Sequence, residues 1–454
     1  MGFVMLAVFT IAEILLTVLT CTKFRSIRHK NRMIFTAGEL ALLMLVIFLP
    51  MGQSWRFTGC VIVLGIRLVI SVIVFLVKRK REVKEKSNAK LIVRTVFGVV
   101  LIGSALFPAY IFSGYHGLKT TGSFKVKETE AILIDKSRLE PRENDGSNRE
   151  IPIHFYYPEG GAENCPLVLF AHGSFGYYQS NSSLYFELAS NGYVVASIDH
   201  PYYAFFTKDT SGKTIIVDFE FVQTAVNMQN SDDYTMSEED YNTTREWMTL
   251  RTADENFVLD AIKAAKTSGS LDDAWYTKFD KINAEILNVL AMTDTENIGV
   301  TGHSIGGAAA VQLGRERSDV RAVIDIDGTM LGEEIAYNNG VIEYNAEPYP
   351  VPVLSLDNAR HWKSYAGENG TTYVNTYLLN NALDAREAHF DGTEHMDFTD
   401  LPLFAPPLAK MLGKGDVKSS EFIPELNGIV LNFFDYYLKG EGTPTVQPWD
   451  GQTP

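Results

Sequence analysis

The stretch that decides the fold is Thr301-Gly-His-Ser-Ile-Gly-Gly307, which follows the apolar run Asn297–Val300 and opens an alanine-rich stretch. It contains the pattern G-x-S-x-G. A serine hydroxyl is a weak nucleophile unless a base accepts its proton and the backbone presents its oxygen. Gly302 and Gly306 permit a sharp strand-to-helix turn that leaves such an oxygen exposed. The stretch therefore predicts Ser304 as a nucleophile.

Strand-like and helix-like stretches alternate on both sides of this turn. Alternation of this kind favours a largely parallel sheet covered by helices on both faces. Helices are predicted at Ser183–Asn191, Thr244–Thr267 and Ile305–Arg317. With the serine at a strand–helix junction, the pattern predicts an α/β-hydrolase fold, in the α/β class. The predicted strands are Ile151–Tyr157, Leu167–Ala171, Tyr193–Asp199, Ile298–Gly302, Ala322–Ile326, Val351–Leu356 and Arg386–Phe390.

The partners of the serine are sought late in the chain, because this fold carries them in the order serine, acid, histidine. His395 follows the last predicted strand and is the predicted base, ahead of His361 and His389. Two acids remain open. Asp327 ends the strand after the nucleophile helix and Asp357 ends the next strand, and either loop can reach the histidine.

An oxyanion hole is expected from the loop that follows an earlier strand. His172-Gly-Ser-Phe-Gly176 has that position, so the backbone N–H groups of Ser174 and Ile305 are the predicted donors. This chemistry requires no metal and no cofactor. The three cysteines, Cys21, Cys60 and Cys165, offer neither zinc-ligand spacing nor a disulfide framework.

The charge is distributed unevenly along the chain. The formal net charge is −15, but residues 1–125 carry 17 Lys and Arg against 4 Asp and Glu, which leaves −28 for the remainder. A domain that acidic repels phosphates, so nucleic acid is excluded as a partner.

The first part of the chain has the composition of a membrane region. Apolar runs lie at about 3–21, 33–50, 57–77 and 91–112. Each has about the length needed to cross a bilayer, so residues 1–112 are predicted to form four transmembrane helices. The loops after the first and third runs are rich in Lys and Arg, which places both termini outside the cytoplasm. We therefore expect a multi-pass cell-membrane protein, with linker 113–125 and an outer hydrolase domain at 126–454.

Three ionisable residues interrupt these apolar runs: Glu13, Glu39 and Arg67. Glu13 and Arg67 share a depth near the midplane, where isolated charges are costly, so we predict that they form an ion pair. A proton or substrate pathway is the alternative interpretation.

The outer domain resembles the plasma-type (isoform II) platelet-activating factor acetylhydrolases over roughly residues 150–400. The resemblance lies in Phe170-Ala-His-Gly-Ser174, Gly302-His-Ser-Ile-Gly-Gly307, Asp327-Gly-Thr-Met-Leu-Gly332 and Gly392-Thr-Glu-His395. In that family the acid follows the nucleophile by about two dozen residues, as Asp327 follows Ser304 by 23. The resemblance thus implies Asp327 as the acid.

The same resemblance implies a serine carboxylic ester hydrolase that acts on short-acyl lipid or related esters, with an ester or lipid-derived small molecule as its partner. Fold and triad leave other functions open. These are an acyltransferase, a polyester or peptide hydrolase on the same triad, and a non-catalytic membrane receptor or scaffold.

Overall fold

The computed structural model describes residues 2–22, 28–47, 54–78, 87–115, 117–160, 162–230, 237–367 and 372–454. The chain divides into two compact units. The helical unit comprises Met1–His116 and Leu401–Leu412, and the hydrolase unit comprises Gly117–Asp400 and Gly413–Pro454. The first division falls within the predicted linker 113–125. The assignment of Leu401–Leu412 to the helical unit has no counterpart in the sequence prediction.

The elements of the described residues are numbered in chain order. The α-helices are α1 (Gly2–Cys21), α2 (Arg28–Ile47), α3 (Thr58–Lys78), α4 (Asn88–Ala105), α5 (Phe107–Ile111), α6 (Ser182–Ser190), α7 (Phe219–Asn230), α8 (Glu238–Ser268), α9 (Asp280–Met292), α10 (Ile305–Glu316), α11 (Ala359–Ser364), α12 (Val374–Asn381), α13 (Leu401–Phe404), α14 (Pro406–Met411) and α15 (Ser419–Phe434). The strands are β1 (Val126–Leu139), β2 (Asn148–Pro158), β3 (Cys165–Ala171), β4 (Val194–Ile198), β5 (Phe206–Lys208), β6 (Thr214–Ile216), β7 (Trp275–Tyr276), β8 (Thr293–His303), β9 (Val320–Ile326), β10 (Glu334–Asn338), β11 (Val341–Tyr344), β12 (Val353–Asn358) and β13 (Ala385–Phe390).

Within the described residues, three helices of the helical unit are long and apolar enough to cross a membrane: Gly2–Cys21, Trp55–Lys78 and Asn88–Ala105. Residues 33–47 of the predicted run 33–50 lie in helix α2, whose first turns, Arg28-His-Lys-Asn-Arg32, are strongly basic, and residues 48–50 lie outside the described residues. Four membrane spans are therefore not confirmed. The basic residues at 23–27 and 79–86, on which the predicted orientation depends, lie outside the described residues.

The predicted ion pair inside the helical unit is confirmed. Arg67 of α3 donates to Glu13 of α1, and their side chains are 10% and 7% exposed. A Cβ at Gly98 of α4 would lie 3.5 Å from Nη2 of Arg67, so α4 packs closely against the pair. Opposite charges brought together in this way lower the cost of placing each one among apolar helices.

The segment Leu401–Leu412 packs with the end of the N-terminal helices. The ring of Phe404 stacks on that of Phe112, with centroids 6.3 Å apart and planes within 8°. The backbone N–H of Ser113 donates to the carbonyl of Phe404 over 2.6 Å. These contacts explain why this part of the chain belongs to the helical unit.

A nine-stranded sheet forms the centre of the hydrolase unit, in the order β13-β12-β9-β8-β3-β4-β2-β1-β7. The six strands from β13 to β4 are parallel, and β2, β1 and β7 are antiparallel. All seven predicted strands are present within this sheet. The mostly parallel sheet with flanking helices matches the predicted α/β-hydrolase fold.

Helices pack against this sheet through a continuous apolar core. Side chains of α8, α9 and α10 share one buried cluster with strands such as β2, β3 and β8. Helix α15 approaches β8 closely, because a Cβ at Gly299 would lie 2.7 Å from the ring of Phe434. Helix α8 begins with a capping box at Ser237 and Asp240 and ends at Gly269 in a left-handed conformation.

The carboxyl ends of the parallel strands meet at one edge of the sheet, which is where such folds bind ligands. The loop from His172 follows β3, Ser304 follows β8 and Asp327 follows β9. Asp357 lies near the end of β12, and His395 follows β13. The fold therefore gathers every predicted catalytic side chain at this edge.

Candidate active site

Ser304 occupies the single residue between β8 and α10. Its φ of 58° and ψ of −127° are rare for a residue with a side chain, and its N–H donates to the carbonyl of Ile326 over 2.8 Å. A Cβ at Gly302 would lie 2.6 Å from the carbonyl oxygen of Ala171, and a Cβ at Gly306 would also collide with Ala171. Both glycines are therefore required by close backbone approach, as the sequence pattern predicts.

His395 opens a short 3-10 helix, His395–Phe398, after β13. Its Nδ1 lies 2.6 Å from Oδ2 of Asp327. Its backbone carbonyl accepts a hydrogen bond from Nε2 of His303 over 3.2 Å, and the two rings lie 4.5 Å apart. Burial, and then the nearby His395, lower the pKa of His303 to about 3, so His303 is neutral. His395 is thus oriented at its ring by Asp327 and at its backbone by His303.

The carboxyl of Asp327 is buried and densely bonded. Oδ1 accepts from the backbone N–H of Asn358 over 2.8 Å, and Oδ2 accepts from Nδ2 of Asn358 over 2.7 Å. Burial alone would raise its pKa, but the contacts from His361 and His395 outweigh burial and hold the pKa well below its usual value. Asp327 is therefore an ionised acceptor directed at His395.

Asp357, the other predicted candidate for the acid, is paired with a different histidine. Its Oδ1 lies 2.9 Å from Nδ1 of His361, and its Oδ2 accepts from the hydroxyl of Tyr365 over 2.8 Å. The geometry thus brings Asp327, rather than Asp357, to His395. Asp325, one pleat inside β9, is fully buried, and burial followed by the nearby Asp357 raises its pKa well above its usual value.

The glycine loop after β3 runs along the turn that carries Ser304. A Cβ at Gly173 would lie 3.2 Å from Cβ of Ser304 and 2.7 Å from Nδ1 of His303. Ser174 follows directly in the chain. Ile305 is the first residue of α10, so its N–H has no acceptor within the helix. Both predicted oxyanion donors therefore belong to segments next to Ser304.

Buried groups fix this loop from behind. The neutral His172 donates from Nδ1 to the carbonyl of Gly173 over 2.6 Å, and its Nε2 accepts from the backbone N–H of His200 over 3.2 Å. Burial, together with Arg251 and His200, holds the pKa of His172 well below its usual value. Nη1 of Arg251 donates to the carbonyl of His172 over 2.7 Å. The sequence pattern alone did not reveal this support.

A charged network extends from the same loop. Nδ1 of His200 lies 2.8 Å from Oδ2 of Asp254, and Nη2 of Arg149 also bonds Asp254 over 2.8 Å. Asp199 accepts from the backbone N–H of Tyr178 over 2.7 Å. Asp199 and His200 thus anchor loops.

Among the described residues, two groups of side chains each place three possible metal-ligand atoms within 4.8 Å of one another. They are His303, Asp327 and His395, and Asp327, Asp357 and His361. In each group, hydrogen bonds or ion pairs between the members account for the close approach, so neither group is assigned to a metal.

Aromatic side chains flank the loops around Ser304. Tyr203 is buried with Phe221 and Trp247 in a small cluster that also contains Ile305. The side chains of Phe205 and Phe206, by contrast, are 58% and 38% exposed, at the start of the β5–β6 hairpin.

Comparison with known proteins identifies relatives of the hydrolase unit. A curated platelet-activating factor acetylhydrolase of Bos taurus is 23% identical over 297 residues, covering 61% of this chain and 58% of the relative. That of Cavia porcellus is 24% identical over 310 residues, covering 64% and 61%. The chain thus spans about three fifths of the length of these relatives. A ferulic acid esterase from Streptomyces cinnamoneus superposes with a TM-score of 0.49 at 22% identity, covering 73% of this chain and 96% of the esterase.

The family model for platelet-activating factor acetylhydrolase, isoform II, matches residues 150–451. This range contains Ser304, Asp327 and His395, and it extends the resemblance beyond the 150–400 expected from motifs alone. Since the match covers more than half of the sequence, the chain belongs to the platelet-activating factor acetylhydrolase isoform II family.

Proposed function

We propose that the protein is a serine carboxylic ester hydrolase in which Ser304 is the nucleophile, His395 the base and Asp327 the acid. The observation that supports this most directly is the 2.6 Å contact between Nδ1 of His395 and Oδ2 of Asp327, at the sheet edge where Ser304 occupies a strained turn. Strained backbone that persists in a well-packed site is characteristic of functional positions.

In the proposed reaction, Nε2 of His395 accepts the hydroxyl proton as Oγ of Ser304 attacks the ester carbonyl. The tetrahedral intermediate collapses, the alcohol leaves with the proton from His395, and an acyl-serine remains. Water then attacks the acyl-serine after giving a proton to His395, and the carboxylic acid is released with regeneration of the serine. Asp327 keeps the imidazole in the tautomer that leaves Nε2 free to accept.

The negative charge on the carbonyl oxygen requires donors that are already in place. We assign this role to the backbone N–H groups of Ser174 and Ile305. Two observations support this assignment: Gly173 lies close to Ser304, and the N–H groups in the first turn of α10 have no acceptor within the helix. Donors of this kind typically contribute several kcal/mol to transition-state stabilisation.

The proposed substrates are short-acyl lipid esters or related small esters. The curated relatives are named platelet-activating factor acetylhydrolases, and this name supports the proposed class. The exposed rings of Phe205 and Phe206 provide an apolar surface suited to a lipid chain.

We further propose that the protein resides in the cell membrane as a multi-pass protein, with residues 1–112 as the membrane region, 113–125 as linker and 126–454 outside the cytoplasm. The three apolar helices support the membrane location. The basic residues between the apolar runs support the orientation.

The test uses the full chain in detergent with p-nitrophenyl acetate and a fluorophosphonate probe. We expect hydrolysis and covalent labelling, both abolished by Ser304→Ala and both retained by Ser318→Ala, which alters an exposed serine after α10. Absence of labelling in the unaltered protein would refute the proposal. Labelling that survives Ser304→Ala but is lost in Ser174→Ala would place the nucleophile on the other loop.

A further inference from the structure

The triad acid contacts two histidines rather than one. Nδ1 of His395 lies 2.6 Å from Oδ2 of Asp327, and Nδ1 of His361 lies 3.4 Å from Oδ1 of the same carboxyl. His361 belongs to α11, which begins after Asn358 at the end of β12. The side chain of Asn358 accepts from the backbone N–H of His361 over 2.8 Å while its own N–H groups bond Asp327. One residue therefore fixes both the acid and the second histidine.

The second histidine has its own carboxylate. Nδ1 of His361 lies 2.9 Å from Oδ1 of Asp357, a residue with no exposed surface. Oδ1 of Asp357 accepts no hydrogen bond from His361, so the short contact between them is that of an ion pair. The arrangement is that of an imidazolium placed between two carboxylates. The hydroxyl of Tyr373 contacts Nε2 on the other side of the ring.

We propose that His361 and Asp357 form a buried ion pair that positions the Asp327 carboxylate and sets the charge seen by His395. His361 is in this view a positioning residue, since it acts through Asp327. This inference rests on the proposed function of Ser304, Asp327 and His395. It explains why both strand ends after the nucleophile carry an aspartate: one orients the base, and the other compensates the charge of the second histidine.

The charge state of His361 follows from its surroundings. Burial would lower its pKa, but Tyr373 and the two carboxyls outweigh burial and hold the pKa well above its usual value. The titratable groups that face this pair from the packed elements are Asp325 of β9, Asp327 directly after β9, Asp357 of β12, Tyr365 after α11, Tyr373 before α12, Glu387 of β13 and, across Asp327, His395.

Removal of either member of the pair leaves a net charge near the triad. His361→Gln leaves the Asp357 carboxylate uncompensated, which favours the protonated form of His395. The acid limb of kcat/KM against pH should then move to higher pH. Asp357→Asn leaves the imidazolium uncompensated, so the limb should move to lower pH. We expect shifts of about one pH unit in each direction, because a buried unit charge at this range acts on that scale.

The experiment measures pH profiles of p-nitrophenyl acetate hydrolysis by the full chain in detergent, with fluorophosphonate labelling and thermal unfolding of every variant. In the double variant His361→Gln/Asp357→Asn, the midpoint of the acid limb of the pH profile should return to its value in the unaltered protein. Tyr373→Phe should move the limb as His361→Gln does, to a smaller extent, and it keeps the inference testable if the glutamine variant fails to fold. His389→Gln is the matched control, since this exposed histidine pairs in register with Asp357 but faces Glu387.

Opposite shifts with recovery in the double variant support the ion pair. The proposal is overturned if the acid-limb midpoints of the pH profiles remain unchanged, or if they move in the same direction in both single variants. A variant that loses thermal stability but keeps the acid-limb midpoint of its pH profile would show that the pair is purely structural, and this result also overturns the proposal. Failure of the proposed function is a separate result, because the unaltered protein would then not be labelled by the fluorophosphonate.

Discussion

Replacement of Asp327 by asparagine provides the sharpest test of the proposed triad. The Asp327 carboxyl accepts from His395 at Oδ2 and from two N–H groups of Asn358, one at each oxygen. An amide nitrogen at either position would face a donor of Asn358. At the Oδ2 position it would also donate to Nδ1 of His395, so the proton of the imidazole would move to Nε2.

A histidine with its proton on Nε2 cannot accept the hydroxyl proton of Ser304. Loss of the correct tautomer lowers kcat by about 10⁴-fold in triads of this type, which corresponds to about 5.5 kcal/mol. The unsatisfied donor against Asn358 adds a stability cost of about 1–3 kcal/mol, so the thermal midpoint should also fall.

The matched control is Asp357→Asn, which makes the same chemical change in a buried aspartate one strand away. Asp357 contacts His361 and Tyr365, and we expect kcat at the pH optimum to stay within about tenfold of the unaltered protein. The assay is p-nitrophenyl acetate turnover by variants of equal labelling-competent fraction, checked by circular dichroism. Near-normal turnover in Asp327→Asn with a thousandfold loss in Asp357→Asn would assign the acid to Asp357 and refute the reasoning.

Three further outcomes are expected. Gly173→Ala should lower kcat/KM by about 10- to 100-fold with unchanged circular dichroism, since the new methyl group lies 2.7 Å from Nδ1 of His303 and displaces the oxyanion loop; full activity would exclude close packing of this loop. Glu13→Gln and Arg67→Gln should each reduce the thermal midpoint in detergent, and the double variant should recover part of the loss, whereas strictly additive losses would argue against the pair. Burial raises the pKa of Asp400 to about 6, so the folded state retains this proton where the unfolded chain, with a pKa near 3.8, releases it. The contribution of Asp400 to stability should therefore fall between about pH 4 and 6 and then level off, and Asp400→Asn should remove this decline from the thermal midpoint. If the thermal midpoints of Asp400→Asn and the unaltered protein differ by the same amount at every pH, this expectation is wrong.

Much of the parallel sheet could be predicted from the sequence because its strands are continuous apolar runs. In β3 every residue is buried, and the run is recognisable without neighbours. Strand β1 was missed because it pairs at the antiparallel side and alternates buried with exposed residues, including Lys127, Glu128 and Glu130. An alternating strand with many charges resembles a polar loop until its partner β2 is known.

The candidate site shows the same division between local and non-local information. The turn at Ser304 could be predicted because glycines at fixed spacing serve a local backbone need. The pairing of Asp327 with His395 depended on family resemblance, since two strand ends offered an aspartate. The role of His361 could not be predicted, because it depends on how Asn358 caps α11 and turns the ring back over Asp327. Contacts of this kind arise from tertiary packing that no sequence period encodes.

The division of the helical unit also has a consequence for biosynthesis. Its last segment, Leu401–Leu412, is translated only after nearly all of the hydrolase unit, although Phe404 stacks on Phe112. The nascent N-terminal helices therefore lack the ring contact of Phe112 with Phe404, and keep that with Trp55, until this segment has been synthesised. Maturation of the two units is thus linked through chain order, and a product truncated before residue 401 would leave the first unit without its final partner.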